Sequence, residues 1–355
     1  MTSHSTPLRG LRSGVLALAA AALMAVPGTV HAQANAGGAS LQIPPGARAE
    51  GMGRFFNSVS DDAFAPWWNP AGLAFQTGWN VGLMHTKLVP DLADDVFFEY
   101  LGGSKYIQGW GGVAATITYL SYGESFATDP DSPDPTGTFS SFEFSPSVAM
   151  GTRIVNNLGL GANLKLLHVN LAPDNIASGG KGTTFAVDLG GLYNIPGTSE
   201  NFFGLGATEY NIGLGVTVAN LGPDISLASG QQSDPLPRNL KVGTSFGART
   251  ANKTSFLLGV AMEKSLVFED IPDSIKAGLS FAEKNELLFS GGLEVGIMDL
   301  AYGRVGYIYD DVGEIKGATY GAGFYIKNFG LDFASIPQFR ELNRVTKISI
   351  VARFD

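Results

Sequence analysis

The sequence predicts an all-β protein, a transmembrane outer-membrane β-barrel of about 14 antiparallel strands. Three observations carry that expectation: a start typical of an exported chain, alternation of period two over segments about ten residues long, and connections that are in turn long and tight.

The amino terminus comes first. Arg9 and Arg12 precede the uncharged run "SGVLALAAAALMAV", which ends before Pro27, and "VHAQ" follows, with Val30 and Ala32 as the small residues of a cleavage site. The run is too short to span a bilayer, so residues 1–32 are expected to be a signal peptide cleaved after Ala32. The chain has no cysteine, so no lipid anchor, disulfide scaffold or thiolate metal site is expected.

Composition narrows the class. Residues are 45% apolar, yet beyond the signal no uncharged run approaches the roughly twenty residues of a membrane helix. The 47 glycines recur inside strand-like segments, and the 11% of aromatic residues spread among them argue against a disordered or collagen-like chain. The formal charge of −9 and the absence of a basic block give nucleic-acid binding no support.

Strands are expected near 78–88, 96–102, 109–121, 139–152, 158–169, 182–194, 209–219, 238–248, 254–264, 286–297, 300–309, 316–326, 329–336 and 345–354. In "TTFAVDLGGLY", Phe185, Val187, Leu189 and Tyr193 share one face while Thr184, Ala186, Asp188 and Gly190 share the other. "NIGLGVTVAN" and "TYGAGFYI" alternate likewise, and the last segment sets Ile348, Ile350, Ala352 and Phe354 against Lys347, Ser349, Val351 and Arg353. A soluble sandwich needs shorter strands; ten residues is the length of a tilted membrane strand, and a face of glycine, serine, threonine and occasional charge suits a polar lumen. Aromatic residues near strand ends, such as Tyr307, Tyr309, Phe142 and Phe144, fit interface girdles. Long connections after most odd strands and tight ones such as "MD" and "KN" after most even strands place both termini on the periplasmic side. Ser274–Phe281 is assigned to a loop, because a fifteenth strand would separate the termini. The connection 195–208 is long for a periplasmic turn.

Catalytic constellations are not found, so no enzyme and no cofactor is expected. His85 and His168 lie near outer strand ends without a serine–acid arrangement and read as interfacial residues. In "DPDSPDPTG", Asp129, Asp131 and Asp134 are loosely spaced like calcium ligands, but the prolines and the missing closing glutamate favour a solvated loop, and no metal is assigned.

The segment Gly46–Phe75, "GARAEGMGRFFNSVSDDAFAPWWNPAGLAF", resembles the amino-terminal signature of the PorV/PorQ family of outer-membrane proteins, within the FadL-like barrel superfamily. The likeness continues through "TFAVDLGGLY", "VANLGPDISLASGQQSDPLPRNLKVGTSF" and "LDFASIPQFRELNRVTKISIVARF". It implies that residues 33–77 form an arm and hatch folded into the lumen of a barrel over 78–355. Asp61, Asp62, Trp67, Trp68, Asn69, Pro70, Ala71 and Gly72 are then the hatch residues. Physically, Asn69 and Pro70 suit a tight turn, the tryptophans fill volume, and Gly51, Gly53 and Gly72 allow close approach to the wall. Asp61 and Asp62 are expected either to pair with lumenal cations such as Arg48 or Lys165 or to be solvated, and Asp188, on the lumen face, to tolerate substitution. Two functions follow from the resemblance: a component of type IX-like secretion that binds exported cargo at the cell surface, with secretion components as partners, or a channel for hydrophobic small molecules. Both place the chain among outer-membrane lipid.

Overall fold

The computed structural model describes residues 37–129, 132–173, 180–200, 206, 208–227, 233–266, 287–311, 313–339 and 342–355. The expected signal peptide, residues 33–36, Asp131 and Ser274–Phe281 lie outside the described residues, as do the side chains of 128, 129, 132 and 133.

Two-residue periodicity builds the wall. The strands are β1 (Trp79–Lys87), β2 (Val96–Ile107), β3 (Gly111–Asp129), β4 (Ser132–Val155), β5 (Leu158–Asn170), β6 (Lys181–Ser199) and β7 (Thr208–Leu221). They continue as β8 (Asn239–Thr250), β9 (Ser255–Ser265), β10 (Leu287–Ile297), β11 (Ala301–Asp310), β12 (Ile315–Ile326), β13 (Phe329–Ile336) and β14 (Val345–Phe354). Each pairs antiparallel with its sequence neighbours, and β14 closes on β1 in register from Trp79↔Phe354 to Thr86↔Lys347. Closure leaves the wall no free edge, which is what allows strands to cross a bilayer.

The faces follow the alternation. In β6, Phe185 and Leu189 are exposed while Ala186 and Asp188 are buried; in β14, Ile348 and Ile350 are exposed while Lys347 and Ser349 are buried. On the outside, rings at one end form a row across five strands: His85, Phe97, Tyr119, Phe142 and His168, with successive centroids 5.7, 6.0, 5.8 and 6.2 Å apart. Such a girdle marks the membrane interface. Both histidines sit at its ends, with His85 Nδ1 3.1 Å from Glu99 and His168 Nδ1 2.8 Å from Thr183 Oγ1.

Two departures from the expected layout have a common cause. β3 and β4 run past the wall as a ribbon, pairing from Glu124↔Ser140 to Asp129↔Ser132, where a solvated loop was expected over 122–138. Pro133 and Pro135 of β4 signal a loop, but a strand with an open side tolerates proline because no neighbour needs its N–H. At the opposite end β6 and β7 likewise continue as a pair, from Ile195↔Ile212 to Ser199↔Thr208, which accounts for the length of 195–208.

Candidate functional site

The lumen holds the segment before β1. A 3-10 turn at Ala39–Leu41 leads to helix α1 (Ala47–Gly51), a second 3-10 turn at Phe55–Ser58, helix α2 (Ala65–Trp68) and a third 3-10 turn at Pro70–Phe75. None is long enough to be stable alone, so its stability has to come from the wall around it. Met52, Phe55, Phe56, Phe64, Trp68 and Leu73 are fully buried. The segment is the hatch.

The chain enters the hatch at the loop end, where Gly37 N–H donates to Pro235 O (2.9 Å), and the Ala39 and Ser40 amides donate to the Glu143 carboxylate (3.1 and 2.8 Å). Further along, Lys347 Nζ donates to Pro44 O (2.6 Å), Ser349 Oγ accepts from Ala47 N (2.9 Å), and Thr319 Oγ1 donates to Gly51 O (3.0 Å). Wall side chains thus satisfy backbone groups that so short a helix leaves orphaned.

Asn69 organises the turn predicted at "NPAG". Its Oδ1 accepts from Ala71 N (3.0 Å), capping the turn that Pro70 begins, and its Nδ2 donates to Asn57 O (2.8 Å) and to Gly191 O of β6 (3.0 Å). The wall here has no side chains to spare. A Cβ on Gly190 would strike Asn69 Oδ1, and one on Gly161 would strike the Pro70 backbone. The same close approach recurs at Gly112, Gly215, Gly292 and Gly306, which explains glycines on the inner face of otherwise regular strands. Gly51 and Gly53 lie against β12, β10 and β11 as expected, whereas Gly72 packs against Ser60 of the hatch itself.

Trp67 and Trp68 stack edge to face (4.8 Å) beneath a lysine: Lys241 Nζ of β8 lies 3.9 Å from the Trp67 ring centre and 5.3 Å from that of Trp68. Trp68 Nε1 donates to Pro45 O (2.9 Å), and Thr217 Oγ1 donates to Trp68 O (3.1 Å). The pair therefore fills volume and offers a cation its ring faces. The void beside Trp67 measures about 10 Å³, room for one water.

Charges join hatch to wall. Arg48 reaches Asp61 (2.5 Å), Asp62 (3.8 Å) and Glu294 of β10 (3.0 Å); Glu294 also accepts from Arg304 (2.6 Å), which in turn donates to Asp332 (2.6 Å). A second set links Glu50 to Arg54 (2.6 Å) and Lys347 (3.3 Å). Arg48 accordingly is the partner of Asp61 and Asp62. Lys165 is not: it pairs with Asp188 (2.8 Å) and Asn220 (2.5 Å). Asp188 also accepts from Asn220 N (2.8 Å) and Asn163 Nδ2 (3.1 Å) and is fully buried, so it is a structural carboxylate where a tolerant lumen residue was expected. Breaking such a pair by removing one partner costs about 3–5 kcal/mol. Burial pushes the Asp62 carboxyl up to about 6, with the adjacent Asp61 carboxylate adding to the shift against the pull of Arg48 and Arg353. The Arg48 pairing of Asp61 and Asp62 was among those expected; the Lys165–Asp188, Glu50–Lys347 and Arg304–Asp332 pairs were not, although inward-facing ions in membrane-length strands signal that partners must exist.

Below the hatch, at the turn end, a cavity of about 880 Å³ remains, its wall carrying four arginines and four carboxylates beside Phe75 and Phe256. Of the calcium candidates, Asp134 is exposed in β4, and among the described residues no group of His, Cys, Asp and Glu could hold a metal ion.

The chain is similar in structure to the toluene transporter TodX of Pseudomonas putida (13% identity, TM-score 0.44, covering 87% of this chain and 96% of that one). It is also similar to a FadL homologue of Pseudomonas aeruginosa (11% identity, TM-score 0.43, covering 93% and 100%). At these values nothing of their cargo carries over. The comparison with curated proteins found no match. Residues 32–271, more than half of the chain and spanning the hatch and strands β1 to β9, match the family described as type IX secretion system protein PorV. With its hatch-filled barrel of fourteen strands, the chain belongs to the PorV family of outer-membrane proteins.

Proposed function

We propose that this chain is a non-enzymatic component of type IX protein secretion that receives exported cargo at the loop end of the barrel, outside the cell, with its termini in the periplasm. The observation that carries this reading is the sealed lumen. Hydrogen bonds between the hatch and β6, β12 and β14, together with the Arg48–Glu294 and Glu50–Lys347 pairs, hold the hatch across the bore, and among the described residues the space beside Trp67 is a void of about 10 Å³, room for one water. A barrel whose bore is closed by its own chain has its rim, loops and outer face left for function. Family membership supports secretion as the process.

Hydrophobic uptake is the competing reading. It asks for an apolar path beside Trp67 and Trp68, and what lies there is Lys241 and a water-sized void. Comparing the proteins released by a deletion strain with those released by wild type tests the proposal. Loss of a defined set of secreted proteins, restored by the intact chain, is expected. Unchanged secretion together with lost growth on a hydrophobic substrate would replace this reading by the channel.

A further inference from the structure

The β3–β4 ribbon is the part of the wall that leaves its neighbours behind. Tyr122 still pairs with Val96 of β2, and Phe142 with Asn170 of β5; beyond those residues, among the described residues, β3 and β4 pair only with each other. The ribbon bends at a register shift between Ser121 and Glu124, where Gly123 takes φ +83°. Glu124 N–H faces the side that β2 has vacated, because it donates to the carboxylate of Asp95 (2.8 Å), at the end of the β1–β2 connection. In an antiparallel ladder the direction of backbone groups alternates, so Phe126 turns its N–H and C=O to the same open side. No hydrogen bond of the described loops or turns reaches them. The Phe126 side chain is 70% exposed.

A strand edge left like this is a template for another chain, and most proteins protect it with lysine, proline or a cover. The β4 side has such protection in Pro133 and Pro135, which lack N–H donors; the β3 side from Glu124 to Ala127 has neither proline nor lysine. Charge selects the occupant. Between Lys105 and Arg153 the chain has no lysine or arginine, while the ribbon carries Glu124 and Asp134, and Asp129 and Asp131 stand between these in the sequence. An acidic ribbon with one open edge and an exposed aromatic ring suits a basic, extended polypeptide that adds as a strand.

We infer that the open edge of β3 at Glu124–Ala127 is a strand-addition site for an extended basic segment of an exported protein. The partner's being exported cargo rests on the proposed secretion role; the edge itself does not.

The test uses the full chain in detergent and a fluorescent peptide alternating valine and lysine, with its valine–glutamate counterpart as control. Phe126→Pro removes the outward N–H without touching the β3–β4 ladder, Phe126→Ala keeps that N–H, and Thr138→Pro, opposite on β4, blocks only the other edge. The basic peptide should bind the native chain, and Phe126→Pro should weaken binding about tenfold or more, the loss of a backbone bond together with the aromatic contact. Phe126→Ala should weaken it less, Thr138→Pro should leave it unchanged, and added salt should weaken it. The inference is overturned if Phe126→Pro binds like the native chain, if the acidic peptide binds equally, if Thr138→Pro is the variant that abolishes binding, or if the edge instead pairs two copies of this chain. In cells, normal secretion by the Phe126→Pro strain where the deletion strain fails would sink the edge site and spare the secretion role. Normal secretion by the deletion strain would sink the secretion role, while the peptide titration still decides the edge.

Discussion

Asn69→Ala should release the hatch while leaving the wall intact. The side chain makes three hydrogen bonds, to Ala71 N, Asn57 O and Gly191 O, at 3.0, 2.8 and 3.0 Å. Each is worth about 1 kcal/mol net, and up to about 2 where the abandoned partner cannot reach water, so the substitution should cost about 3–6 kcal/mol. None of the three bonds joins one strand to another. The cost therefore falls on docking of the hatch, and even the lower figure shifts the ratio of released to docked hatch about a hundredfold. Amide hydrogen exchange of the detergent-solubilised protein reads this directly: amides of 47–75 should exchange about a hundred times faster, with those of β6 and β14 unchanged. Gly190→Val should give the same pattern by another route, since its Cβ occupies the place of Asn69 Oδ1. Unchanged exchange across the hatch in both variants, or equal acceleration in hatch and strands, would refute the reasoning.

Four further outcomes follow from the same geometry. Leu189→Arg, on the lipid face at 50% exposure, should cost about 2–4 kcal/mol near the bilayer midplane, and Asp188→Asn at the next residue should be comparably harmful through its broken Lys165 pair; urea titration of folding into vesicles compares them. The Asp62 carboxyl, at about 6 in the fold against an ordinary 3.8, keeps a proton that the unfolded chain gives up, so its own contribution to hatch stability is fully present below about pH 4 and is lost, by about 3 kcal/mol, as pH rises through 6, opposite in sign to Asp61 and Glu50, whose carboxyls nearby cations hold down. Asp62→Asn should flatten that slope and stabilise the hatch at neutral pH, measured by limited proteolysis as a function of pH. Deleting "ISIVARFD" removes the strand that pairs with both β1 and β13 and should abolish the heat-modifiable barrel band in outer-membrane fractions.

The wall was legible because its physics is local. A strand that faces lipid on one side must alternate, and the segments expected from alternation agree with the fourteen strands to within a few residues in most places. The ribbon was misread for an equally local reason: Pro133 and Pro135 mark a loop unless the strand has an open side, and sequence does not reveal which strand loses its neighbour. At the hatch, "WWNPAG" already pointed to a tight turn and two volume-filling rings. The groups that give it meaning are distant in the chain. Lys241 lies over Trp67, Gly191 accepts from Asn69, and Glu294 holds Arg48, each through closure of the barrel. Asp188 shows the limit most clearly, since an aspartate on an inward face reads as solvated until Lys165 and Asn220 are seen against it.

If the hatch is a fixed plug and function lies outside the bore, fixing it in place leaves secretion unchanged. The chain has no cysteine, so one engineered pair gives an unambiguous lock. Ala47 and Ser349 are the pair to engineer, because the Ala47 N to Ser349 Oγ contact of 2.9 Å joins α1 to the closing strand, and formation of the bond is checked directly. The direct measurement is the set of proteins secreted by a deletion strain carrying Ala47→Cys/Ser349→Cys, with the disulfide verified in the purified outer membrane. With the hatch locked, secretion equal to that of the wild-type chain is expected. Secretion that fails under the lock and returns on reduction would show that the hatch must move and would contradict a fixed plug.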